Sequence, residues 1–209
     1  MPPGPTILLA SASPRRHDLL TAAGLDVIVR PAHIDEQRQP GEHPVHLARR
    51  LADWKAQAAR ALHLADHPDD DALPVLAADT VVHAREPGQG PFAATVFEKP
   101  RDPAEAAEIL RRLSDRWHAV TTGFCLLHGD VRLVEHVTTR VRFRSLSPAL
   151  IELYVATGEP MDKAGAYGIQ GQGAVLVARV EGSYTNVVGL PLEAVAASLR
   201  RLGIASTAQ

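Results

Sequence analysis

Ser11, Ser13, Arg15 and Arg16 fall within the stretch LASASPRRHDLL, where the residue types suit phosphate chemistry. Ser13 and Pro14 read as the N-cap and first position of a helix that stops at Gly24. The first amides of a helix lack internal partners and carry roughly half a positive charge, so they favour an anion. Two arginines there are unfavourable for the helix alone, by ~0.3–1 kcal/mol each. A bound polyphosphate reverses that sign, because guanidinium groups grip phosphate oxygens through paired hydrogen bonds and the serine hydroxyls add donors. The competing reading sends both arginines to solvent or pairs them with acids such as Asp18.

Asp79 is a second anomaly, a carboxylate inside the apolar run VLAADTVV, costly to bury without a partner. Facing a cleft, it would hold a divalent metal or activate water; otherwise it caps nearby backbone amides. Asp35 and Glu36, in HIDEQRQP, add two acids on a loop, and Mg2+ commonly uses one or two carboxylates plus substrate phosphates. By themselves such loop acids are usually solvated. Lys55, Lys99 and Lys163 are the only lysines, against nineteen arginines. Where lysine persists, a compact point charge is wanted, here around a phosphate chain, although Lys55 equally reads as an ordinary surface lysine. The segment KAGAYGIQGQG permits close backbone approach to a ligand. It lacks the G-K-[ST] of a P-loop and does not open a helix after a strand. Its Gln170 presents one amide donor and one acceptor, which suits the reading of a base edge, although a plain inter-strand loop is the simpler account. No His/Cys pattern has zinc spacing and no G-x-S-x-G elbow exists.

These residues need a frame. The chain of 209 residues is 45% apolar, enough for one domain over residues 1–209, or for two lobes sharing one cleft. Net charge is −2, aromatic content is 4%, and no apolar run approaches the ~20 residues needed to span a bilayer. A binder of polymeric nucleic acid and a membrane protein are therefore not expected. The single cysteine, Cys125, lies in the apolar run TGFCLLHG and reads as core; with no leader evident in MPPGPTILLA, a soluble cytoplasmic protein is expected. Strands are expected at 6–10, 26–30, 75–84 and 94–100, then as two long runs joined at Gly129-Asp130, and again at 174–180 and 183–188. Helices are expected at 14–23, 45–62, 103–113, 148–157 and 191–202, and REPGQGP reads as a hairpin loop. Strand–helix alternation early and hairpins later imply an α/β fold with a mixed sheet flanked by helices.

LASASPRRHDLL, AADTVV, EKPRD, EPMDKAGAYGIQG and NVVGLPL, in this order, resemble the Maf family of nucleoside triphosphate pyrophosphatases. The resemblance implies an elongated mixed α/β fold of the inosine-triphosphate pyrophosphatase-like kind, often dimeric, working with a divalent cation such as Mg2+ or Mn2+. It implies cleavage of a nucleoside triphosphate between the α and β phosphates, with Asp79 as proton acceptor. Arg15, Thr80 and Gln170 match the branch similar to dTTP/UTP pyrophosphatases more closely than the branch acting on 7-methyl-GTP. On this reading Ser11, Ser13, Arg15 and Arg16 hold the phosphates with Lys55, Lys99 and Lys163 around them. Asp79, with Asp35 or Glu36, holds the metal, and Gln170 and Thr80 face a pyrimidine base. The loop 85–94 is longer than the usual hairpin of the family. The rival class is a non-catalytic nucleotide sensor, since Maf proteins also resemble factors linked to septum formation and cell division.

Overall fold

The computed structural model describes residues 4–204 except Gln89, Pro91 and Phe92, so part of the 85–94 loop lies outside the described residues. The early elements are β1 (Thr6–Leu9), α1 (Pro14–Ala22), β2 (Asp26–Val29), α2 (Pro44–Asp66), β3 (Val75–Ala84), β4 (Thr95–Phe97) and α3 (Pro103–Leu113). They are followed by β5 (Trp117–His128), β6 (Val131–Phe143), α4 (Pro148–Ala156), β7 (Val177–Glu181), α5 (Tyr184–Val188) and α6 (Leu192–Arg201). The strands make one mixed sheet in the order β2-β1-β3-β5-β6-β7, with β4 paired antiparallel to β3. β1 runs parallel to both β2 and β3, and β7 antiparallel to β6. This is the expected α/β class. No helix among the described residues is long and apolar enough to cross a membrane.

The chain divides into two compact units, one of residues 1–79, 122–137 and 189–209, the other of residues 80–121 and 138–188. In the first, strand alternation sorts the core onto two faces. Ile7, Leu9, Leu76, Ala78, Phe124 and Leu126 pack with Leu20 of α1 and Val195 and Leu199 of α6. Leu8, Val75, Ala77, Cys125 and Leu127 pack on the other side against Ala52, Ala56 and Ala59 of α2. With both faces covered, the strands read as continuous apolar runs rather than alternating ones. The small alanine face brings α2 close to the sheet: a Cβ on Gly123 of β5 would lie 2.4 Å from the Ala48 carbonyl oxygen.

The second unit is built around Phe97, Leu110, Leu113, Val141, Phe143, Ile151, Tyr154 and Tyr167, all buried. Within it His118, Phe143 and Tyr167 meet edge-on, with ring centroids 4.7–5.3 Å apart. The alternating arginines of β6 lie outward: Arg140 pairs with Glu181 and covers the Trp117 ring, and Arg142 pairs with Asp115.

Two elements differ from expectation. The expected strand 183–188 is instead helix α5, Tyr184–Val188, preceded by Ser183. Its β-branched composition suggests a strand, but Gly182 has φ +125° and the Ser183 hydroxyl accepts from the Asn186 N–H at 3.2 Å, as at a helix N-terminus. The glycine-dense segment is three short 3-10 turns, at Glu159–Asp162, Ala164–Ala166 and Gly171–Leu176, so the strand expected from 174 begins only at Val177. Helix α2 also runs further than 45–62, and His43 Nδ1 accepts from the Val45 N–H at its start.

Candidate functional site

Alternation along β3 decides where Asp79 points. Val75 and Ala77 face α2, so Asp79, two residues on, faces the same side. Lys55 lies among the alanines of α2 that pack on that face, and its Nζ donates to Asp79 Oδ1 at 2.7 Å. The same ammonium reaches Glu36 Oε1 at 2.9 Å, so one lysine joins a strand carboxylate and a loop carboxylate. The Asp79 and Lys55 side chains are each only 12% exposed.

The loop after β1 brings in the third charge. Ser13 is the N-cap of α1, yet its side chain makes no capping bond. Its N–H instead donates to Ser11 Oγ at 3.2 Å. Arg16 folds back: its Nη1 donates to Ser11 Oγ at 3.0 Å and its Nε to the Gly189 carbonyl oxygen at 2.8 Å. Asp18 Oδ1 meets His17 Nδ1 at 3.3 Å. No acidic residue lies in the first turn of α1.

The electrostatics are mutually dependent. Burial pushes the Asp79 carboxyl above its ordinary value; Lys55 and then Arg16 pull it back down, and Glu36 adds to the rise. Burial also lowers the Arg16 guanidinium, Asp79 raises it, and the neighbouring Arg15 lowers it again. Arg15 and Arg16 therefore repel each other beside a helix N-terminus, an arrangement that an anion relieves.

Asp35 and Glu36 are exposed. Asp35 Oδ1 accepts from the Gln37 N–H at 2.9 Å, which shapes the loop. Among the described residues, no group of three or more His, Cys, Asp and Glu side chains is arranged to hold a metal. Two surface cavities of this unit, about 380 and 450 Å³, are lined by other residues grouped around Arg132.

Thr80, Lys99, Lys163 and Gln170 belong to the other unit. Thr80 is half-buried, while Lys99 and Gln170 are exposed. Lys163 donates to Asp162 Oδ1 at 2.6 Å and to the Glu159 carbonyl oxygen at 2.7 Å. Gly165 and Ala166 both have positive φ, +72° and +56°, and a Cβ on Gly165 would lie 2.7 Å from the Val82 side chain. The consecutive left-handed residues at 165 and 166 make the backbone ahead of Gln170 a compact bend.

Sequence reasoning passed over Arg50, Glu42 and Glu159. Arg50 forms a two-pronged pair with Glu42 and donates to the Gln37 carbonyl oxygen, next to Glu36. No local spacing marks that arginine out from the eighteen others.

The family described as Maf-like protein matches residues 6–202. A protein of Koribacter versatilis called dTTP/UTP pyrophosphatase is 47% identical over 201 residues, 96% of each chain. Proteins of the same name are 44% identical in Symbiobacterium thermophilum, over 94% of each chain, and 48% identical in Yersinia pestis, over 89% of this chain and 87% of that one. With the match extending from β1 into the end of α6, this chain belongs to the Maf family.

Proposed function

We propose that this chain is a nucleoside triphosphate pyrophosphatase that hydrolyses dTTP and UTP to the nucleoside monophosphate and pyrophosphate. The observation that carries the reading is the Lys55 ammonium held between Asp79 and Glu36, with Arg16 and its repelling neighbour Arg15 beside it. The names of the relatives support the substrates.

In this reading Ser11, Ser13, Arg15, Arg16 and the α1 amides bind the phosphate chain, and Lys55, Lys99 and Lys163 add charge around it. Asp79 takes a proton from the water that attacks the α phosphorus. The bond between that phosphorus and the α,β-bridging oxygen breaks, and pyrophosphate leaves. The raised Asp79 carboxyl is a better proton acceptor than an ordinary aspartate, and such general-base assistance contributes roughly 10²- to 10⁴-fold.

Asp79 and Glu36 both approach the Lys55 Nζ, so two hard oxygen donors lie within reach of one small cation. Mg2+ or Mn2+ would be held by Asp79 with Glu36 or Asp35 and completed by substrate phosphates, with the Lys55 ammonium giving way to the cation. Such a cation would neutralise charge on the phosphates. For the base, the Gln170 amide pairs with the O4 and N3–H edge of uracil or thymine, and Thr80 lines the same pocket. A cytoplasmic homodimer is the proposed form.

The test is pyrophosphate release from dTTP, UTP, CTP, ATP and GTP, with and without Mg2+. Release from dTTP and UTP in preference to the others is expected. Tight nucleotide binding with no release would instead establish the sensor, and equal turnover of all five would remove Gln170 and Thr80 from recognition.

A further inference from the structure

One carboxylate organises the segment that carries Gln170. Glu159 Oε1 accepts from the Tyr154 hydroxyl at 2.9 Å and from the Gly173 N–H at 3.1 Å, and Oε2 accepts from the Gln172 N–H at 3.0 Å. The Tyr154 hydroxyl in turn accepts from the Gly168 N–H at 3.1 Å. Backbone donors two residues before Gln170 and two and three residues after it are thus tied to Glu159, directly or through Tyr154. Its main-chain oxygen also holds the Lys163 ammonium.

The glycines are what allow this closure. A Cβ on Gly173 would lie 2.2 Å from the Gly168 carbonyl oxygen, and one on Gly168 would lie 2.8 Å from Lys163 Cε. Gly171 has φ +72°, with Glu159 Oε2 3.0 Å from where its Cβ would be. Tyr154 is buried at 3% exposure, so the tie is anchored in the core. Gln170 itself is exposed at the tip of this bend.

We infer that Glu159 is a positioning residue for base selection. Its carboxylate fixes the backbone on both sides of Gln170, so the amide is held in its reading pose before a nucleotide arrives. The inference rests on the reading of Gln170 as the base-contacting residue. Pre-set loops bind without the cost of ordering on encounter, and supporting hydrogen bonds determine whether a contact group is placed or loose. A carboxylate is required because three donors converge on two atoms. The amide of Glu159→Gln has a single acceptor oxygen, and its NH2 would face a backbone N–H or the tyrosine hydroxyl.

The experiment compares kcat/KM for UTP and for CTP in wild type, E159Q, Q170A and the double variant. Inhibition by inorganic pyrophosphate and thermal melting are measured alongside. E159Q should lower the UTP/CTP ratio about tenfold, since a displacement of about 1 Å can cost up to about 10²-fold and a loosened backbone shifts by less. Pyrophosphate inhibition should shift less than about twofold, because the phosphate contacts proposed for the other unit are untouched. In the Q170A background, E159Q should cause no further loss of selectivity. A ratio that falls by the same factor with or without Gln170 overturns the inference, as does an unchanged ratio in E159Q when Q170A lowers it. An unchanged ratio in Q170A defeats the base-reading itself, and the inference with it. If E159Q does not fold, Y154F removes only the hydroxyl link to Glu159 and Gly168, and the same ratios decide.

Discussion

Removing the Arg50 side chain should separate a structural strut from the chemistry it supports. Arg50 Nε and Nη2 donate to Glu42 Oε1 and Oε2, each at 2.7 Å, and the side chains are 14% and 8% exposed. Nη2 also donates to the Gln37 carbonyl oxygen at 3.0 Å, and the guanidinium lies 4.6 Å from the Trp54 ring centroid. Glu42 also receives the Gln39 N–H, so the pair knots residues 37–42 onto α2. Leaving one member of a buried pair unpartnered typically costs about 3–5 kcal/mol, against about 0–1 kcal/mol for a surface pair. The pair is only part-buried, so Arg50→Ala should fall between these limits, at about 1–3 kcal/mol, and lower the melting temperature by about 2–12 °C at about 2–4 °C per kcal/mol.

The pH dependence has a definite sign. The Arg50 hydrogen bond holds the Glu42 carboxyl below its ordinary value of 4.5. The stabilisation is therefore fully present above that ordinary value and is lost as pH falls through the depressed folded value. In Arg50→Ala this acid-side loss should largely disappear. Urea titrations of R50A, E42Q and the double variant at pH 7 and pH 4 measure it. Single losses below about 1 kcal/mol would refute the argument, since that is the surface-pair range. Losses that simply add in the double variant would refute it too. Because Gln37 follows Glu36 directly, R50A should also lower kcat, while R50K, which keeps the charge without the fork, should fall between.

Asp79→Asn should cut pyrophosphate release by about 10²- to 10⁴-fold. Because burial raises the Asp79 carboxyl, the acid limb of the wild-type kcat/KM profile should lie above the ordinary aspartate range, and Lys55→Met should push it higher. Cys125 is buried with its thiol pushed up to about 12, so a thiol reagent at pH 8 should label it only after denaturation; prompt labelling of the folded protein would contradict the packing. His118 Nε2 meets the Tyr167 hydroxyl at 2.8 Å, while Nδ1 has no partner among the described residues and burial lowers the ring's pKa to about 3. His118→Phe alone should cost about 1–3 kcal/mol by orphaning the tyrosine hydroxyl, and adding Tyr167→Phe should recover most of it; a double variant no better than the single would refute that reading.

Much of the fold is legible from punctuation. Ser13-Pro14 with Gly24, Asp102-Pro103 with Glu105, and Ser147-Pro148 with Gly158 bracket helices that the structure contains. The run YTNVV misleads because its β-branched side chains pack equally well in a short helix once a serine caps it and Gly182 turns the chain. Asp79 is visible as an intrusion in an apolar strand, and Lys55 as a rare lysine. Their meeting is not visible, because it requires the register of α2 across the sheet, which Gly123 and the alanine face set. Glu42 and Glu159 look like ordinary loop acids until the backbone donors around them are counted.

These two kinds of residue differ in physics as well as in visibility. Arg50 with Glu42, and Glu159 with its three donors, are satisfied within the chain, so each adds stability and rigidity where it stands. Asp79 and Arg16 differ from these: burial opposes the charge on each while each favours the charge on the other, and Arg15 opposes that on Arg16. A fold selected only for stability would replace such groups, because an apolar side chain of similar volume is often no worse. Their cost falls when an anionic chain neutralises the arginines, and any cation that accompanies it offsets the repulsion between Asp79 and Glu36. Phosphate contacts at Arg15 and Arg16 do not need the Asp79 carboxylate, so a nucleoside triphosphate should raise the melting temperature of D79N, which lacks the proposed proton acceptor but keeps both arginines. Unchanged melting of D79N at millimolar dTTP would refute a phosphate site at Arg15 and Arg16.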